Sequence, residues 1–476
     1  MKKIAIIGGG VAGTTAALTL AAHECQITLF EKKSSLVGGP PFCHLHAGGN
    51  LYPDISIDQC IRLLEESFWF YRYFPFAVEQ RPTLIVVPKK CELDPRYLVQ
   101  RVQVLQKRYK KLCEEYGFAP FGDPKEYYTL FFEEDLKKAC KIGQKDFPKT
   151  PHEWLAPVSA ELKKENIKFP LILVQEYGLN IFRFSAGVDT VLNSFKNVTV
   201  KNGCEVLSLK KSGDGFEIEY KNEKSLDKDR YDIVINAAGF ESEKIDRALH
   251  LKKERYLEFK AAYITRWDND AVWPEIIFHG KRGTKNGMAQ FTPYAFGFVQ
   301  MHGMSKEITL FEGGLAKSDS QNRSPLNRSF YEKIDLGWDE RELAQRTAKA
   351  IEHFKDFLES FPKKAKGYFK PLYGIQQIPG KNPDLRAAEV DIVSKNYFRC
   401  EIVKVSSAIN MAKEIQKEIF KEVKENFDYL KILEEESLKQ KAAEIARQRG
   451  YPSELSTLLN PPKLFPQTEL PEHFIE

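Results

Sequence analysis

The chain opens with an apolar run, Ile4–Ile7, then a glycine-rich stretch, Gly8-Gly9-Gly10-Val11-Ala12-Gly13. An apolar helical pattern follows to Ala22, and a second apolar run, Gln26–Phe30, closes on Glu31. This order predicts strand, tight turn, helix, strand and acid. Gly8 permits the turn, Gly10 lets the backbone approach a pyrophosphate, and Gly13 lets the helix pack against the strand. The helix N-terminus, at Val11 and Ala12, then faces the phosphates. Glu31 lies eighteen residues past Gly13, placed to take a ribose 2′-hydroxyl, with Lys32 beside it. The complete unit predicts a dinucleotide site.

Beyond it, residues 34–56 read as loop, with Gly38-Gly39-Pro40-Pro41, Gly48-Gly49 and Pro53. Residues 56–73 predict an aromatic-rich helix and Thr83–Val87 a strand. Residues 94–165 are rich in Lys, Glu and Tyr and mostly helical in pattern. From Leu171 the α/β pattern returns: a short helix opened by Ala186-Gly187-Val188, a strand pair in Asn197–Leu209, a strand at Gly215–Tyr220, and a buried strand, Tyr231–Asn236, ending in Ala237-Ala238-Gly239. Small residues there let the chain pass close to a cofactor. Residues 255–315 predict a mainly antiparallel sheet. In it Phe296, Phe298, Gln300 and His302 alternate with Gly297, Val299 and Met301. An amphipathic helix spans 338–360, a last α/β stretch runs through Ser406–Ala412 into a helix, and a charged helical tail with a Pro-rich end begins near 426.

Composition narrows the class. The 476 residues suffice for two or three domains. Lys+Arg 71 against Asp+Glu 66 gives only +5, too thin an excess to argue for nucleic acid. No apolar run approaches the roughly twenty residues of a membrane span. Eight cysteines without a Cys-x-x-Cys pair read as reduced thiols rather than a metal or iron–sulfur site. The expected location is the cytoplasm, or peripherally on the inner face of the membrane.

In the order of these motifs the chain resembles the FAD-dependent oxidoreductases of the D-amino-acid-oxidase type. The matching pieces are Gly8-x-Gly10-x-x-Gly13, Glu31, His46-Ala47-Gly48-Gly49, Glu205-Val206, Asn236-Ala237-Ala238-Gly239, and Ser406–Ala412. The resemblance covers about 1–90 and 170–425. It implies an α/β fold in which a Rossmann-like FAD-binding domain (1–90, 169–245, 367–425) carries a mainly antiparallel α+β substrate domain (246–366). A helical insertion or cap (91–168) and a charged tail (426–476) lie outside it.

The resemblance further implies that Glu31 holds the adenosine ribose, that Val206 meets the adenine through its backbone, and that Ala237, Ala238 and Gly239 close over the middle of FAD. The turn Ser406-Ser407-Ala408-Ile409-Asn410 then points a helix N-terminus at the flavin ring. Two places depart from the family. The loop after the acid reads Gly38-Gly39-Pro40-Pro41-Phe42-Cys43-His44-Leu45-His46, where many relatives carry a serine pair contacting the pyrophosphate. The usual Gly-x-Gly-Ser-x-Gly of the C-terminal segment is Val405–Asn410.

Candidate substrate groups follow. Arg183, Arg266 and Arg386 could clamp a carboxylate through the planar guanidinium fork. Tyr294, Gln300 and His302 lie on the sheet expected to roof the flavin, His302 as a base. His46 could bond the flavin covalently, although non-covalent FAD is the favoured expectation. No metal site is expected. The function expected is hydride removal from a small amino acid or 2-hydroxy acid, electrons passing to a quinone or oxygen, with the quinone pool or a partner subunit as partner. Two other readings stand beside it. Gly49-Asn50-Leu51-Tyr52-Pro53 resembles a stretch of a tRNA wobble-uridine-modifying amine oxidase. The insertion and tail would also suit a non-catalytic flavin-binding accessory subunit.

Overall fold

The computed structural model describes residues 1–39, 49, 51–319, 323, 326–368, 370–386 and 390–459. Its first strand, β1 (Lys2–Ile7), pairs in parallel with β2 (Cys25–Glu31), Ile4 opposite Ile27 and Ile7 opposite Phe30, and α1 (Val11–Leu20) connects them. This is a βαβ unit of the expected kind. Two glycines make it close. A Cβ on Gly13 would lie 1.9 Å from the Gly8 carbonyl oxygen, and one on Gly8, itself at φ +105°, would lie 2.4 Å from the Ala237 carbonyl oxygen.

The sheet grows to six strands in the order Asp391–Ser394, Tyr397–Arg399, Ile233–Asn236, β1, β2, Val198–Asn202. It is parallel except for the terminal hairpin. On one face α1 packs against the helices Ile181–Ser194 and Ala408–Phe420. On the other, a three-stranded antiparallel sheet, Glu205–Ser212, Gly215–Lys221 and Leu226–Tyr231, lays Phe216, Ile218 and Tyr220 over Ala5, Ile7 and Phe30. Strands buried on both faces read as unbroken apolar runs, which is why Ile4–Ile7 shows no alternation.

A second, ten-stranded sheet stands beside it. Its path runs Leu315–Lys317, Arg255–Arg266, Phe298–Gly303, Ala289–Pro293, Glu275–Phe278, Thr83–Pro88, Ile167–Val174, Tyr128–Phe131, and Leu372–Pro379 also pairs with Arg255–Arg266. Alternation along these strands sorts two faces. Leu257, Phe259, Ala261, Tyr263, Val299 and Met301 enter an apolar cluster beneath the helix Glu340–His353. Ala262, Ile264, Phe298 and Leu372 join the large cluster that includes the Rossmann core.

Three local expectations change. The helix expected to open at Ala186 begins at Ile181, because the Asn180 side chain caps it by accepting from the N–H groups of Phe182 and Arg183. Gly187 then falls mid-helix, where a Cβ would lie 2.1 Å from the Phe76 ring. Asn197–Leu209 is not a hairpin: Val198–Asn202 extends the parallel sheet, and Glu205–Ser212 starts the antiparallel one. In the Lys/Glu/Tyr-rich region the long helix α3 (Pro95–Tyr116) packs against α2 (Ile57–Tyr73), but Tyr128–Phe131 is a strand at the edge of the ten-stranded sheet. Among the described residues no helix is long and apolar enough to cross a membrane, and no group of His, Cys, Asp and Glu could hold a metal.

Candidate active site

The glycine turn forms a cradle. Gly10 caps α1 without a side-chain hydrogen bond, and a Cβ placed on it would meet nothing within 4 Å. Free space lies where the helix N-terminus presents its unpaired N–H groups and positive dipole end at Val11 and Ala12. Beside it the buried Glu31 carboxylate accepts from the N–H of Gly9 and of Lys33, both at 2.8 Å. Lys32 points outward and pairs with Glu241. Ala237, Ala238 and Gly239 follow the strand Ile233–Asn236 directly. The Ala237 N–H is tied to the Ile7 carbonyl at 2.8 Å, and Gly239, at φ +60°, again has open space where a Cβ would stand. Val206 pairs with Tyr220 at the bulge in the antiparallel sheet. The open space beside Gly10 and Gly239 and the buried Glu31 carboxylate thus follow the C-terminal ends of β1, β2 and the strand Ile233–Asn236, where they could hold a dinucleotide. His46, Ala47 and Gly48, with Cys43 and His44, lie outside the described residues. Gly49 is packed against Glu176, whose side chain occupies the position its Cβ would take.

Below this edge a buried network ties the two sheets together. Asp246 accepts from Arg399 Nε and Tyr397 OH, both at 2.8 Å, and pairs with Arg255, whose Nε also donates to Glu401 at 2.6 Å. Asn236, just before the Ala237 turn, donates to the Ser242 carbonyl at 2.9 Å.

At the other end of the cradle the turn Val405–Ser407 leads into the helix Ala408–Phe420, with Ala408 and Ile409 buried and Asn410 half-buried. Among the described residues, buried Ser406 Oγ has no hydrogen-bond partner, which fits a turn built to receive a ligand. Ser407 Oγ donates to Glu66 of α2 at 2.6 Å. Glu66 is fully buried, and burial pushes its carboxyl up to about 7 even though Ser407 and Arg62 favour the charged form. Gln59, Arg62 and Glu66 lie along one face of α2 that runs beneath this turn.

Linked through Gln376 to the Val403 carbonyl just before this turn, the ten-stranded sheet carries a charged cluster. Lys260 Nζ lies 3.3 Å from Glu258 and donates to Gln376, whose amide in turn donates to the Val403 carbonyl at 2.9 Å. Arg282 pairs with the other oxygen of Glu258. Arg386 stands nearby. Its backbone N–H donates to Gln59 at 3.1 Å, and its guanidinium donates to the carbonyls of Pro383 and Leu385 and lies 3.7 Å from the exposed Asp384. Burial and the neighbouring Arg282 draw the Arg386 guanidinium down. Burial also draws Lys260 down, with Glu258 opposing. Burial pushes Glu258 up, but Lys260 and Arg282 outweigh it and hold the carboxyl low. Among the described residues three cations thus meet one buried and one exposed carboxylate, leaving positive charge in a desolvated place.

On the neighbouring strand Tyr294 OH donates to Gln300 Oε1 at 3.1 Å, and Gln300 Nε2 faces His302 Nδ1 at 3.3 Å. Which ring nitrogen of His302 carries the proton depends on the tautomer.

The three arginines part company. Arg183 is buried in a structural tie, donating to the Phe76 carbonyl and to Glu435, both at 2.8 Å. Arg266 is exposed at a strand end, over the Phe298 ring. Arg386 alone joins the charged cluster. Sequence reasoning missed Glu66, Glu258, Lys260 and Arg282. Period-2 alternation puts Glu258 and Lys260 on the same face as Ala262 and Ile264, a polar pair on an otherwise apolar face and the one legible signal for them. Arg282 lies in a loop, and nothing in its local sequence marks it.

Residues 3–358 match the model of a family described as FAD dependent oxidoreductase. Among solved structures, glycine oxidase from Geobacillus kaustophilus is similar at TM-score 0.57 and 9% identity, over 89% of this chain and 96% of that one. L-proline dehydrogenase from P.horikoshii is similar at TM-score 0.54 and 16% identity, over 95% and 99%. A dithionite-reduced L-alpha-glycerophosphate oxidase from Mycoplasma pneumoniae with FAD bound gives TM-score 0.55 and 14% identity, over 90% and 98%. At these identities the likeness concerns the fold. No curated protein matches the sequence.

Proposed function

Since the chain belongs to the FAD-dependent oxidoreductase family, we propose that it oxidises a small amino acid or 2-hydroxy acid at the carbon bearing the amino or hydroxyl group, giving an imine or keto product. Bound FAD supplies the hydride acceptor, and the two electrons pass on to oxygen or a quinone. The observation that carries this reading is the surplus of positive charge formed by Lys260, Arg282 and Arg386, linked through Gln376 to Val403 just before the Val405–Ser407 turn. Among the described residues the cluster carries more cations than carboxylates, and a partly desolvated surplus of that kind receives an anion favourably. Arg386 offers the planar fork that grips a carboxylate by two hydrogen bonds. His302 and Tyr294, joined through Gln300, supply polar groups on the same sheet. The helix Ala408–Phe420 directs its positive dipole end to the place where negative charge builds during the reaction. The names of the similar structures, amino-acid and glycerophosphate oxidoreductases, support substrates of this kind.

The test is anaerobic bleaching of the flavin band against a panel of amino acids, 2-hydroxy acids and their neutral amide analogues. Bleaching by acids and not by amides is the expected result. Arg386→Ala should then raise the acid concentration for half-maximal reduction at least about tenfold, the scale of a lost charge-assisted pair. Bleaching by amides as readily as by acids would remove the anion site from the mechanism.

A further inference from the structure

The C-terminal segment lies beyond the residues that match the family, yet it reaches the cofactor cradle. The helix Glu435–Gln448 packs along Ile181–Ser194, and the residue that ends it, Arg449, turns inward. Its guanidinium donates to Ser35 Oγ at 2.9 Å, the Leu36 carbonyl at 2.7 Å, the Val37 carbonyl at 3.0 Å and Ser185 Oγ at 3.0 Å. These partners are all neutral oxygens, and the Glu31 carboxylate attracts the guanidinium from longer range. Burial draws Arg449 down to about 10, so it keeps its charge at neutral pH.

Residues 35–37 follow the acid that ends β2, and they lie directly over the glycine turn. The Val37 N–H donates to the Gly9 carbonyl at 2.7 Å, and the Leu36 side chain fills the space a Gly9 Cβ would need. The Gly9 N–H in turn holds Glu31 Oε2. Val37 adopts φ +54°, a left-handed conformation that a β-branched residue takes only when its surroundings impose it. Two anchors impose it, Gly9 on the amide side and Arg449 on the carbonyl side. Ser185 Oγ adds a third hold by donating to the Leu36 carbonyl at 2.6 Å. This fastening comes from the opposite end of the polypeptide.

We propose that Arg449 is a positioning residue for FAD: by fastening residues 35–37 over Gly9 it sets the phosphate-binding turn and the Glu31 carboxylate in the shape that receives the adenosine half of the cofactor. Cofactor affinity is thereby under the control of the C-terminal segment.

The experiment titrates deflavinated full-length protein with FAD, following the flavin fluorescence, and separately with ADP by calorimetry. Arg449→Ala is expected to weaken both ligands by a similar factor, about tenfold. Its melting temperature without FAD should fall by several degrees, as loss of a buried tie requires, while unfolding stays cooperative. Arg449→Lys should recover little, because an ammonium cannot reproduce the fork. Added methylguanidine should restore FAD affinity to Arg449→Ala, a rescue that general loss of stability would not show. Folded Arg449→Ala that binds FAD and ADP within twofold of the parent overturns the proposal. Should that variant not fold, Ser35→Ala decides: a several-fold loss of ADP affinity supports the fastening, and unchanged affinity refutes it.

Discussion

Replacing Glu66 by glutamine tests the electrostatics beneath the Ser407 turn. The carboxyl has no solvent exposure, and burial lifts it from its ordinary 4.5 to about 7. Because the folded value lies above the unfolded one, the folded protein binds the extra proton between these limits. No penalty exists below 4.5, where both states are protonated. As pH rises from 4.5 to about 7 the unfolded chain ionises first and stability is lost, and above 7 the loss is complete. At 1.36 kcal/mol per pH unit that gap amounts to about 3 kcal/mol. Glutamine cannot ionise, yet its carbonyl can accept from Arg62 and its amide can donate to Ser407 Oγ. Glu66→Gln should therefore match the parent protein near pH 4.5 and exceed it by about 3 kcal/mol at pH 8. Urea unfolding at the two pH values, followed by tryptophan fluorescence, measures the difference. Parallel pH profiles for the two proteins, or a variant less stable at pH 8, would refute the assignment of a buried carboxyl that titrates near neutrality. The same variant should raise the flavin midpoint potential above pH 7, since an anionic Glu66 next to the turn opposes negative charge on a reduced flavin.

Other outcomes follow from the same geometry. Gly10→Ala places a methyl in space the protein leaves open, so the flavin-free chain should change by under about 0.5 kcal/mol in thermal unfolding while FAD titration shows a large loss of affinity. Gly13→Ala drives a Cβ to 1.9 Å from the Gly8 carbonyl oxygen and should yield protein without flavin absorbance or without a native fold, read by absorption and circular dichroism. Asp246→Ala strands the Arg255 and Arg399 guanidinium groups in the interior, and the urea midpoint should fall by the equivalent of about 3–5 kcal/mol. Arg183→Ala should reduce stability by about 1–3 kcal/mol without a selective change in half-saturation by substrate, the reverse of the Arg386→Ala pattern in steady-state kinetics.

The N-terminal unit was legible because every part of it is local: the glycines, the helix and Glu31 lie within thirty-one residues, and each owes its identity to backbone geometry. The family, the cofactor class and the two-sheet architecture followed from the order of such units. The substrate end was less legible for a physical reason. Lys260, Arg282, Arg386 and Gln59 meet through tertiary pairing across more than three hundred residues, and no local pattern announces a cluster assembled that way. Among arginines in apolar settings, local sequence favoured Arg183 as much as Arg386, and only the partner Glu435 reveals the first as a tie. The helix boundary at Ile181 was missed because Asn180 was not weighed as a cap.

The ten-stranded sheet carries a consequence for how the protein is made. Thr83–Pro88 sits between Ile167–Val174 and Glu275–Phe278. During synthesis this apolar strand must wait for partners encoded far downstream, the second of them near residue 275. At roughly 5–20 residues per second, that wait is on the order of ten to forty seconds. Over that interval an unpaired, mostly apolar edge is exposed on the ribosome, a template for pairing with a neighbouring nascent chain. Cells starved of chaperones should therefore lose this protein to aggregates while it is still being translated. Slowing translation between residues 88 and 275 should worsen the loss, and slowing it after residue 278 should not.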